Sequence, residues 1–510
     1  MELEKTKNTI NGMIAGIVNQ IVNTLLPFAL RTVMVYSLGI EYAGINSLFS
    51  SILSMLSMAD LGFSGAVVFA MYKPVKENDT RKLCQLLGYY QKIYIAVGSI
   101  IGIAGIAITP FLKQIVTSTV PGGLNLYVLY YGFLFNTVVS YFFGGYRSSI
   151  LLAYQRNDLF TYITTAATGI GYGLQIAAML VFRNYYLYIA LMILMNVFIT
   201  MSGAWMARKK FPEIKPEKGI ADTDRRTIFS KVKDLLFQRI GSTVSTSFDS
   251  MVISRYLGLT SVAIYGNYFY IFSAAQSFMN TFYSPLTAGI GNKILNASLE
   301  ENKAVYRRLL FISGLLTAFC CTCLCCLFQP FMQAWMGKEN MYSMTIVLIF
   351  CVYFFVVGSR KIIDTYKSAL GLWHPDRWKS IIGAGVNLTL NILLVKTIGI
   401  SGVILSTIIS YAFIEIPWET HVLYQHYFHS SSSEYYRAAL KNAALTVLSC
   451  GVVYAVNSLI GIDGSWLNVL LHAGITIPAC LALFWILFRR NQDYQFLVQQ
   501  MKQQVTKSKK

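Results

Sequence analysis

The chain has 510 residues, of which 55% are hydrophobic and 13% are charged, and its formal net charge is +19. A soluble domain carries about 25% charged residues, so this composition excludes an ordinary soluble protein and predicts an all-α, polytopic membrane protein. The basic residues lie mainly in alternate loops between apolar runs, as the positive-inside rule describes. They therefore predict cytoplasmic loops and not a nucleic-acid partner.

Apolar runs long enough to span a bilayer, about 20 residues each, recur along the whole chain. The sequence predicts fourteen membrane-spanning helices, at 9–37, 41–72, 83–111, 124–154, 158–182, 186–210, 229–257, 261–294, 304–331, 341–372, 377–396, 401–425, 437–460 and 465–488. An even number places both termini on one side, and the basic loops predict that this side is cytoplasmic. The N-terminus lacks the pattern of a cleavable signal peptide, so we expect the first helix to be retained.

The helical hairpin formed by the first two predicted helices recurs half a chain later. Ser37–Ile52 aligns without a gap on Tyr256–Ile271, an offset of 219 residues, and Arg156–Ile163 aligns on His374–Ile381 at an offset of 218. The agreement between the two offsets predicts two six-helix lobes that run the same way through the membrane. Transporters built from such parallel repeats alternate access by rocking one lobe against the other.

Composition shifts divide the predicted lobes from the remaining segments. A stretch rich in Pro, Gly and charge, 211–227, predicts a cytoplasmic connection. The predicted organisation is an N-terminal lobe at 1–211, a linker at 212–228, a C-terminal lobe at 229–430, a helix pair at 431–490 and a cytoplasmic tail at 491–510. The tail carries apolar residues at helical spacing, so a helix on the membrane surface and a solvated basic tail are both open.

Nine charged residues lie inside the predicted helices, where a charge is costly and usually faces a polar cavity or a partner. The cations are Arg31, Arg147, Arg239, Arg360 and Lys361, and the acids are Asp60, Asp249, Asp364 and Glu415. Guanidinium groups form bidentate hydrogen bonds with phosphate oxygens, so the excess of cations predicts a cavity for phosphate or pyrophosphate. The acids are candidates for pairing with the cations or for coupling transport to an ion gradient.

Arg31 is the main candidate among the cations. It follows the helix-kinking Pro27 by four residues, and a proline in a helix frees a backbone carbonyl. The alternative is an arginine that reaches out to the headgroups at the outer surface.

The other candidates also have structural alternatives. Arg360 and Asp364 are four residues apart, so they can form an intrahelical pair. Lys361 would then be the unpaired cation of this cluster, or the pair would have only a structural role. Arg147 and Glu415, like Arg239, lie near the inner ends of their helices, where an interfacial position also explains a charge.

Several absences in the sequence bear on function. The cysteine cluster Cys320–Cys326 has no His or carboxylate in its run, so we expect packing residues and neither a metal site nor a disulfide. No G-x-x-x-x-G-K-[ST] loop occurs, so ATP is not the expected energy source. We expect no cofactor and no enzymatic activity.

Two stretches carry a family resemblance. Gly44–Lys82, with GINSLFSSILSMLSMADLG and FAMYKPVKENDTRK, and Ala369–Tyr424, with ALGLWHPDRWKSIIGAGVNL and PWETHVLY, resemble polysaccharide (O-antigen and capsule type) flippases. These belong to the multidrug/oligosaccharidyl-lipid/polysaccharide exporter superfamily. The resemblance implies a bacterial inner-membrane protein that turns undecaprenyl-pyrophosphate-linked oligosaccharide repeat units to the outer leaflet. It also implies a cation-lined cavity between the lobes.

The resemblance extends to individual features and to partners. Arg31 resembles the helix 1 arginine of the lipid II flippases, although Thr32 stands where that branch has an acid, so lipid II itself is not the expected substrate. In that branch the last two helices hold the lipid tail. The implied partners are the lipid-linked oligosaccharide, membrane lipids, H⁺ or Na⁺ as a coupling cation, and the polymerase and other assembly proteins. The rival interpretations are a cation-coupled multidrug exporter and, more remotely, a membrane enzyme of polysaccharide assembly.

Overall fold

The computed structural model describes residues 2–118, 120–154, 156–372, 374–376, 378–461 and 463–499. Within these ranges, the side chains of residues 2–18, 59–62, 64, 157, 159, 223, 227, 230–246, 284, 288, 292, 295 and 374 are outside the described set. The helices are α1 Glu2–Ser37, α2 Ile40–Leu56, α3 Asp60–Glu77, α4 Thr80–Ile108, α5 Leu112–Ile115, α6 Leu126–Phe142, α7 Ser148–Ala153, α8 Asn157–Ala177, α9 Tyr185–Lys210, α10 Asp222–Asn296, α11 Leu299–Met336, α12 Met344–Leu370, α13 Lys379–Ile398, α14 Ile400–Ser410, α15 Ile416–Leu423, α16 Ser433–Asn457 and α17 Trp466–Phe488.

The described residues form helices and connecting turns, with no β-strand among them. Nine of the described helices are long and apolar enough to cross a membrane, and a tenth span results if α6 joins the segment Gly145–Ala153 across a bend of 49°. The predicted class, an all-α polytopic membrane protein, is confirmed. The count of fourteen spans stays a prediction, since nine or ten are identified among the described residues.

Two aligned glycines form the turns of the repeated hairpin. Gly39 precedes α2 with φ 127° and ψ 159°, and Gly258 interrupts α10 with φ 84° and ψ 173°. The two positions are 219 residues apart, which is the offset of the sequence repeat. Residues with a Cβ rarely adopt such positive φ values, so the same backbone geometry requires glycine at both turns. The hairpin repeat seen in the sequence is therefore also a repeat of backbone conformation.

The chain forms two compact units, and the division falls between Ala263 and Ile264. The first unit includes the segment predicted as a linker, which packs on α4. The Glu217 amide donates to the Cys84 carbonyl at 3.0 Å, and the Lys215 amide donates to Cys84 Sγ at 3.3 Å. These hydrogen bonds hold the segment against α4 within the first unit. The predicted lobe boundaries stay a prediction.

The second unit is built around α11, which packs against α12, α16 and α17. Small residues allow this close approach: a Cβ on Gly358 of α12 would lie 2.7 Å from the Thr317 methyl group of α11. The members of the cysteine cluster at 320, 321, 325 and 326 are buried here as free thiols. After α17, residues 492–499 are helical, and Tyr494 and Leu497 pack against the buried cluster that includes Leu315 and Phe484. The start of the tail therefore docks on the second unit.

Candidate functional site

Arg31 of α1 is held between two other helices of the first unit. Its Nη1 donates to Ser47 Oγ of α2 at 3.0 Å, and its Nη2 donates to the Ala263 carbonyl of α10 at 3.1 Å. The side chain is half-buried. Two acceptors on different helices fix the plane of the guanidinium, which is the arrangement that directional binding of a phosphate requires. The sequence singled out Arg31 but did not predict these acceptors.

Aromatic side chains of α9 surround this position. Tyr188 interacts electrostatically with Arg31, and its hydroxyl donates to Asn46 Oδ1 at 3.0 Å. The ring of Tyr188 stacks on Tyr185 with centroids 5.3 Å apart, and Tyr185 meets Tyr42 edge to face at 5.2 Å. Buried tyrosines combine a rigid apolar body with a polar tip, so these rings further limit the movement of the residues around Arg31.

A polar face on α1 leads toward Arg31 from the side of the N-terminus. Gln20, Thr24 and Arg31 share this face because their spacing is close to whole helical turns. Gln20 Nε2 donates to Thr24 Oγ1 at 3.4 Å. Next to them, Asn23 Nδ2 donates to Asn19 Oδ1 at 2.7 Å, and Thr165 Oγ1 of α8 donates to the same oxygen at 2.9 Å. The amide side chains of Asn19, Gln20 and Asn23 were not among the predicted site residues. Their helical spacing within an apolar run was the signal that could have identified them.

The first unit contains three further predicted site charges, Asp60, Asp249 and Arg239. Asp249 of α10 is only 1% exposed, beside Ser250, whose hydroxyl accepts from Ser51 Oγ at 3.0 Å. Asp60 begins α3 and Arg239 lies in α10, and the side chains of both are outside the described set.

Arg147 occupies the bend between α6 and α7. It follows Gly144, whose φ of 89° turns the chain. Its guanidinium lies 5.6 Å from the centroid of the Tyr146 ring, and its buried Nε has no hydrogen-bond partner within the described part of the chain. A buried donor without an acceptor is costly, so this group is a candidate for contact with a ligand or water.

In the second unit, Arg360 of α12 is fully engaged by carboxylates. Its Nε and Nη2 each lie 2.9 Å from an oxygen of Glu419, and its Nη1 lies 2.9 Å from Glu415 Oε2. The guanidinium also stacks over Tyr411, 5.0 Å from the ring centroid. Arg360 does not form the intrahelical pair with Asp364 that the sequence spacing permitted. Arg360 is held instead by the carboxylates of Glu415, directly before α15, and Glu419, within α15.

Two lysines and another aspartate complete this ion network. Lys367 bonds to Asp376 and lies 3.2 Å from Glu419 Oε1. Lys379 bonds to Glu419 and lies 3.0 Å from Asp376 Oδ2. With Arg360 and Glu415, the network joins three cations to three carboxylates and is formally neutral. Charges buried this deeply are stable only when paired and hydrogen-bonded, so this network primarily fixes helices.

Sequence reasoning missed most of the network. It named Arg360 and Glu415 but not Glu419, Lys367 or Lys379. The available signal was spacing: Glu415 and Glu419 are one helical turn apart, and Arg360 and Lys367 are two turns apart.

Lys361 of α12 forms no salt bridge with the described residues of the network, although Arg360 and Glu419 interact with it electrostatically. Its side chain is half-buried, and its ammonium makes no hydrogen bond or ion pair with any described residue. Asp364 interacts with it electrostatically without forming a salt bridge. The structure thus divides the predicted cations of the second unit into a paired Arg360 and an unpaired Lys361. The roles of the predicted site residues stay predictions.

The sequence matches the family described as "Polysaccharide biosynthesis protein" over residues 9–290, more than half of the chain. The chain belongs to this family. The match extends from α1 into α10 and so includes Arg31 and Arg147. The resemblance to polysaccharide flippases inferred from the two sequence stretches is confirmed. No curated protein sequence matches the chain.

Solved transporter structures share the fold of this family member. The "Lipid II flippase MurJ, inward closed conformation" has a TM-score of 0.65 and 15% identity, covering 94% of this chain and 99% of that chain. An inward-facing multidrug resistance MATE family transporter of the MOP superfamily has a TM-score of 0.59 and 11% identity, covering 86% and 99%. A MOP superfamily transporter from Pyrococcus furiosus has a TM-score of 0.52 and 12% identity, covering 86% and 96%. At these identities the similarity establishes the fold.

Proposed function

We propose that this protein flips undecaprenyl-pyrophosphate-linked oligosaccharide repeat units across the bacterial inner membrane by alternating access, for cell-surface polysaccharide biosynthesis. The observation that carries this proposal is the Arg31 site, a half-buried guanidinium oriented by Ser47 and Ala263. Membership of a polysaccharide biosynthesis family supports the substrate class. A shielded polar path is needed, because sugars and charge cannot cross hydrocarbon without partners.

The predicted cations divide into two roles in this proposal. In the first unit, Arg31 binds the pyrophosphate, and Arg147 and Arg239 guide the headgroup in from the cytoplasm. In the second unit, Lys361 supplies a positive charge along the substrate path. Arg360 acts differently from the sequence-based prediction: its carboxylate partners saturate it, so we assign it to positioning α12.

Asp60, Asp249 and Asp364 are the candidates for coupling to H⁺ or Na⁺. Asp249 is the strongest of the three because burial makes its ionised form depend on a partner, and a bound cation is one such partner. Glu415 is instead part of the ion network.

The same proposal assigns the topology of the chain, the position of the lipid tail and the partners. Both termini are cytoplasmic, and the polyprenyl tail stays in lipid, held by α16 and α17. The partners are the lipid-linked oligosaccharide, membrane lipids, and the polymerase and other assembly proteins that consume the flipped unit. We propose a transporter and not an enzyme.

A cation-coupled multidrug exporter is the second candidate function. The fold shared with MATE family transporters and the buried carboxylate of Asp249 favour it. The two candidates differ in the charge of the cargo, since a pyrophosphate requires cations and a cationic drug requires carboxylates or aromatic rings.

Binding to the purified protein in detergent separates the two candidates. We expect a fluorescent undecaprenyl-pyrophosphate oligosaccharide to bind saturably and to be displaced by the unlabelled lipid but not by ethidium. Displacement by ethidium, together with loss of ethidium binding in Asp249→Asn, would favour the exporter. Arg31→Ala should weaken binding of the lipid and leave any ethidium binding unchanged.

A further inference from the structure

A cavity of about 730 Å³ opens between the first turns of α11 and α16 and the end of α17, within the second unit. The two helices meet closely above it, because a Cβ on Gly314 of α11 would lie 2.2 Å from Asn442 Oδ1 of α16. The lining lies near the starts of α11 and α16 and the end of α17. These are the ends of three candidate membrane spans, where the headgroups of a bilayer are expected.

Four cations and one carboxylate line the cavity. Glu434 is paired with Arg307 through Nε and through Nη2, the latter at 3.3 Å. Lys303 of α11 and Lys441 of α16 form no ion pair with described residues, and neither does Arg437, whose Nη2 lies 3.4 Å from Ser433 Oγ. Arg437 and Lys441 are one turn apart on α16 and face the same space. The cavity therefore carries an uncompensated positive charge.

The inner part of the cavity is apolar. Leu310 and Phe311 of α11, Leu445 of α16 and Phe488 of α17 form its wall. Leu445 and Leu310 are buried, and Phe311 and Phe488 meet edge to face at 5.1 Å. A positively charged mouth that continues into an apolar wall is complementary to an anionic headgroup attached to a hydrocarbon chain. Basic pockets between membrane helices on the cytoplasmic side bind such headgroups.

The helical start of the tail holds one side of this region in place. Arg308 Nε bonds to Asp493 at 2.8 Å, and its guanidinium stacks over Phe496, 4.4 Å from the ring centroid. Arg308 is thereby turned away from the cavity that its neighbour Arg307 lines. The contacts of Arg308 with Asp493 and Phe496 thus hold the tail helix in place beside the cavity.

We propose that this cavity binds the phosphate group of an anionic membrane lipid, with Lys303, Arg437 and Lys441 contacting the phosphate oxygens and a hydrocarbon chain lying against Leu445 and Phe488. The phosphate can belong to a glycerophospholipid or to a polyprenyl diphosphate, since both present anionic phosphate oxygens. The cavity lies within the second unit, and its lining includes none of the residues assigned above to the pyrophosphate.

Binding of short-chain lipids to the full-length protein in a neutral maltoside detergent tests the proposal. The probes are dioctanoyl phosphatidylglycerol and farnesyl diphosphate, with dioctanoyl phosphatidylcholine as the zwitterionic control. The test variant is Arg437→Gln with Lys441→Gln. The matched control is Arg208→Gln with Lys210→Gln, which removes the same two charge types from the last turn of α9. Arg437→Lys with Lys441→Arg keeps the charge.

Each basic residue near a headgroup contributes about fivefold in affinity, so the test variant should weaken binding about 25-fold. The control and the charge-keeping variant should stay within about threefold of wild type. Loss for phosphatidylglycerol alone identifies a phospholipid site, and loss for farnesyl diphosphate alone identifies a polyprenyl site. Equal affinity of the test variant and wild type for both probes would overturn the proposal.

Two further measurements keep this test independent of folding and of the proposed function. The midpoint of thermal unfolding without lipid should be the same in the test variant and in its control, since the cations removed form no ion pairs among the described residues. Binding of dioctanoyl phosphatidylglycerol, which has no pyrophosphate for Arg31, should fall in the test variant whether or not wild type flips the lipid-linked oligosaccharide. The two proposals can therefore fail separately.

Discussion

Arg360 and Glu419 form a bidentate ion pair inside the second unit, with guanidinium Nε and Nη2 each 2.9 Å from a carboxylate oxygen. Glu419 is fully buried and also meets the ammonium groups of Lys367 and Lys379. One carboxylate thus joins α12, α13 and α15. Removing it leaves three cations around a site that water does not reach.

Glu419→Gln should therefore be strongly destabilising. Breaking a buried ion pair by removing one partner costs about 3–5 kcal/mol, because the other charges stay buried. The matched control is Asp364→Asn, which removes a carboxylate of the same unit that forms no salt bridge with a described residue and should cost less than about 1 kcal/mol. Thermal unfolding and the recovery of monodisperse protein after gel filtration measure both variants. Equal unfolding midpoints for the two variants would contradict this role of Glu419.

The sequence predicted the all-α membrane class because long apolar runs identify membrane spans, whereas the count of fourteen stays a prediction. It predicted the repeat as well, since Gly39 and Gly258 are a local signature of the same turn. It did not predict which charges pair. Arg360 could meet Asp364 one turn away, but its actual partners come from α15 and the turn before it. Spacing fixes which residues share a helix face, whereas the packing of distant helices decides what that face meets.

Close packing of α2 on α10 sets the geometry around Arg31. A Cβ on Gly44 would lie 2.2 Å from the Leu259 carbonyl oxygen, and backbone cannot move aside as a side chain can. Gly44→Ala should cost about 1–3 kcal/mol of stability. Gly65→Ala is the control, because no atom of the described residues lies within 4 Å of the Cβ position. Alanine there should be neutral or stabilise α3 by up to about 1 kcal/mol. Thermal unfolding that ranks the variants in the opposite order would contradict this packing.

Lys361 and Arg360 are neighbours in sequence but should differ in the effect of their loss. Lys361→Gln removes a cation without an ion pair among the described residues, so the unfolding midpoint should stay near that of wild type while flipping falls about tenfold. Arg360→Gln should lower the unfolding midpoint sharply, since Glu415 and Glu419 lose their shared partner. Flipping by reconstituted Lys361→Gln at the wild-type rate would remove Lys361 from the proposed substrate path.

The most direct test of the proposed function is flipping by the reconstituted protein. Proteoliposomes carrying a fluorescent undecaprenyl-pyrophosphate oligosaccharide are made with wild type, Arg31→Ala, Arg31→Lys and Arg255→Ala. Arg255 is the control, an exposed arginine of the same unit whose Nη1 donates to the Gln114 carbonyl at 2.6 Å. Accessibility of the fluorophore to an external quencher reports the transfer between leaflets.

We expect wild type and Arg255→Ala to flip the lipid at similar rates. Arg31→Ala should be at least about tenfold slower, the loss expected for a charge-assisted hydrogen bond, and Arg31→Lys should be intermediate because it keeps the charge but not the planar fork. The unfolding midpoint of each variant identifies any loss that comes from misfolding. Wild-type protein that flips no lipid, or folded Arg31→Ala that flips it at the wild-type rate, would contradict the proposed mechanism.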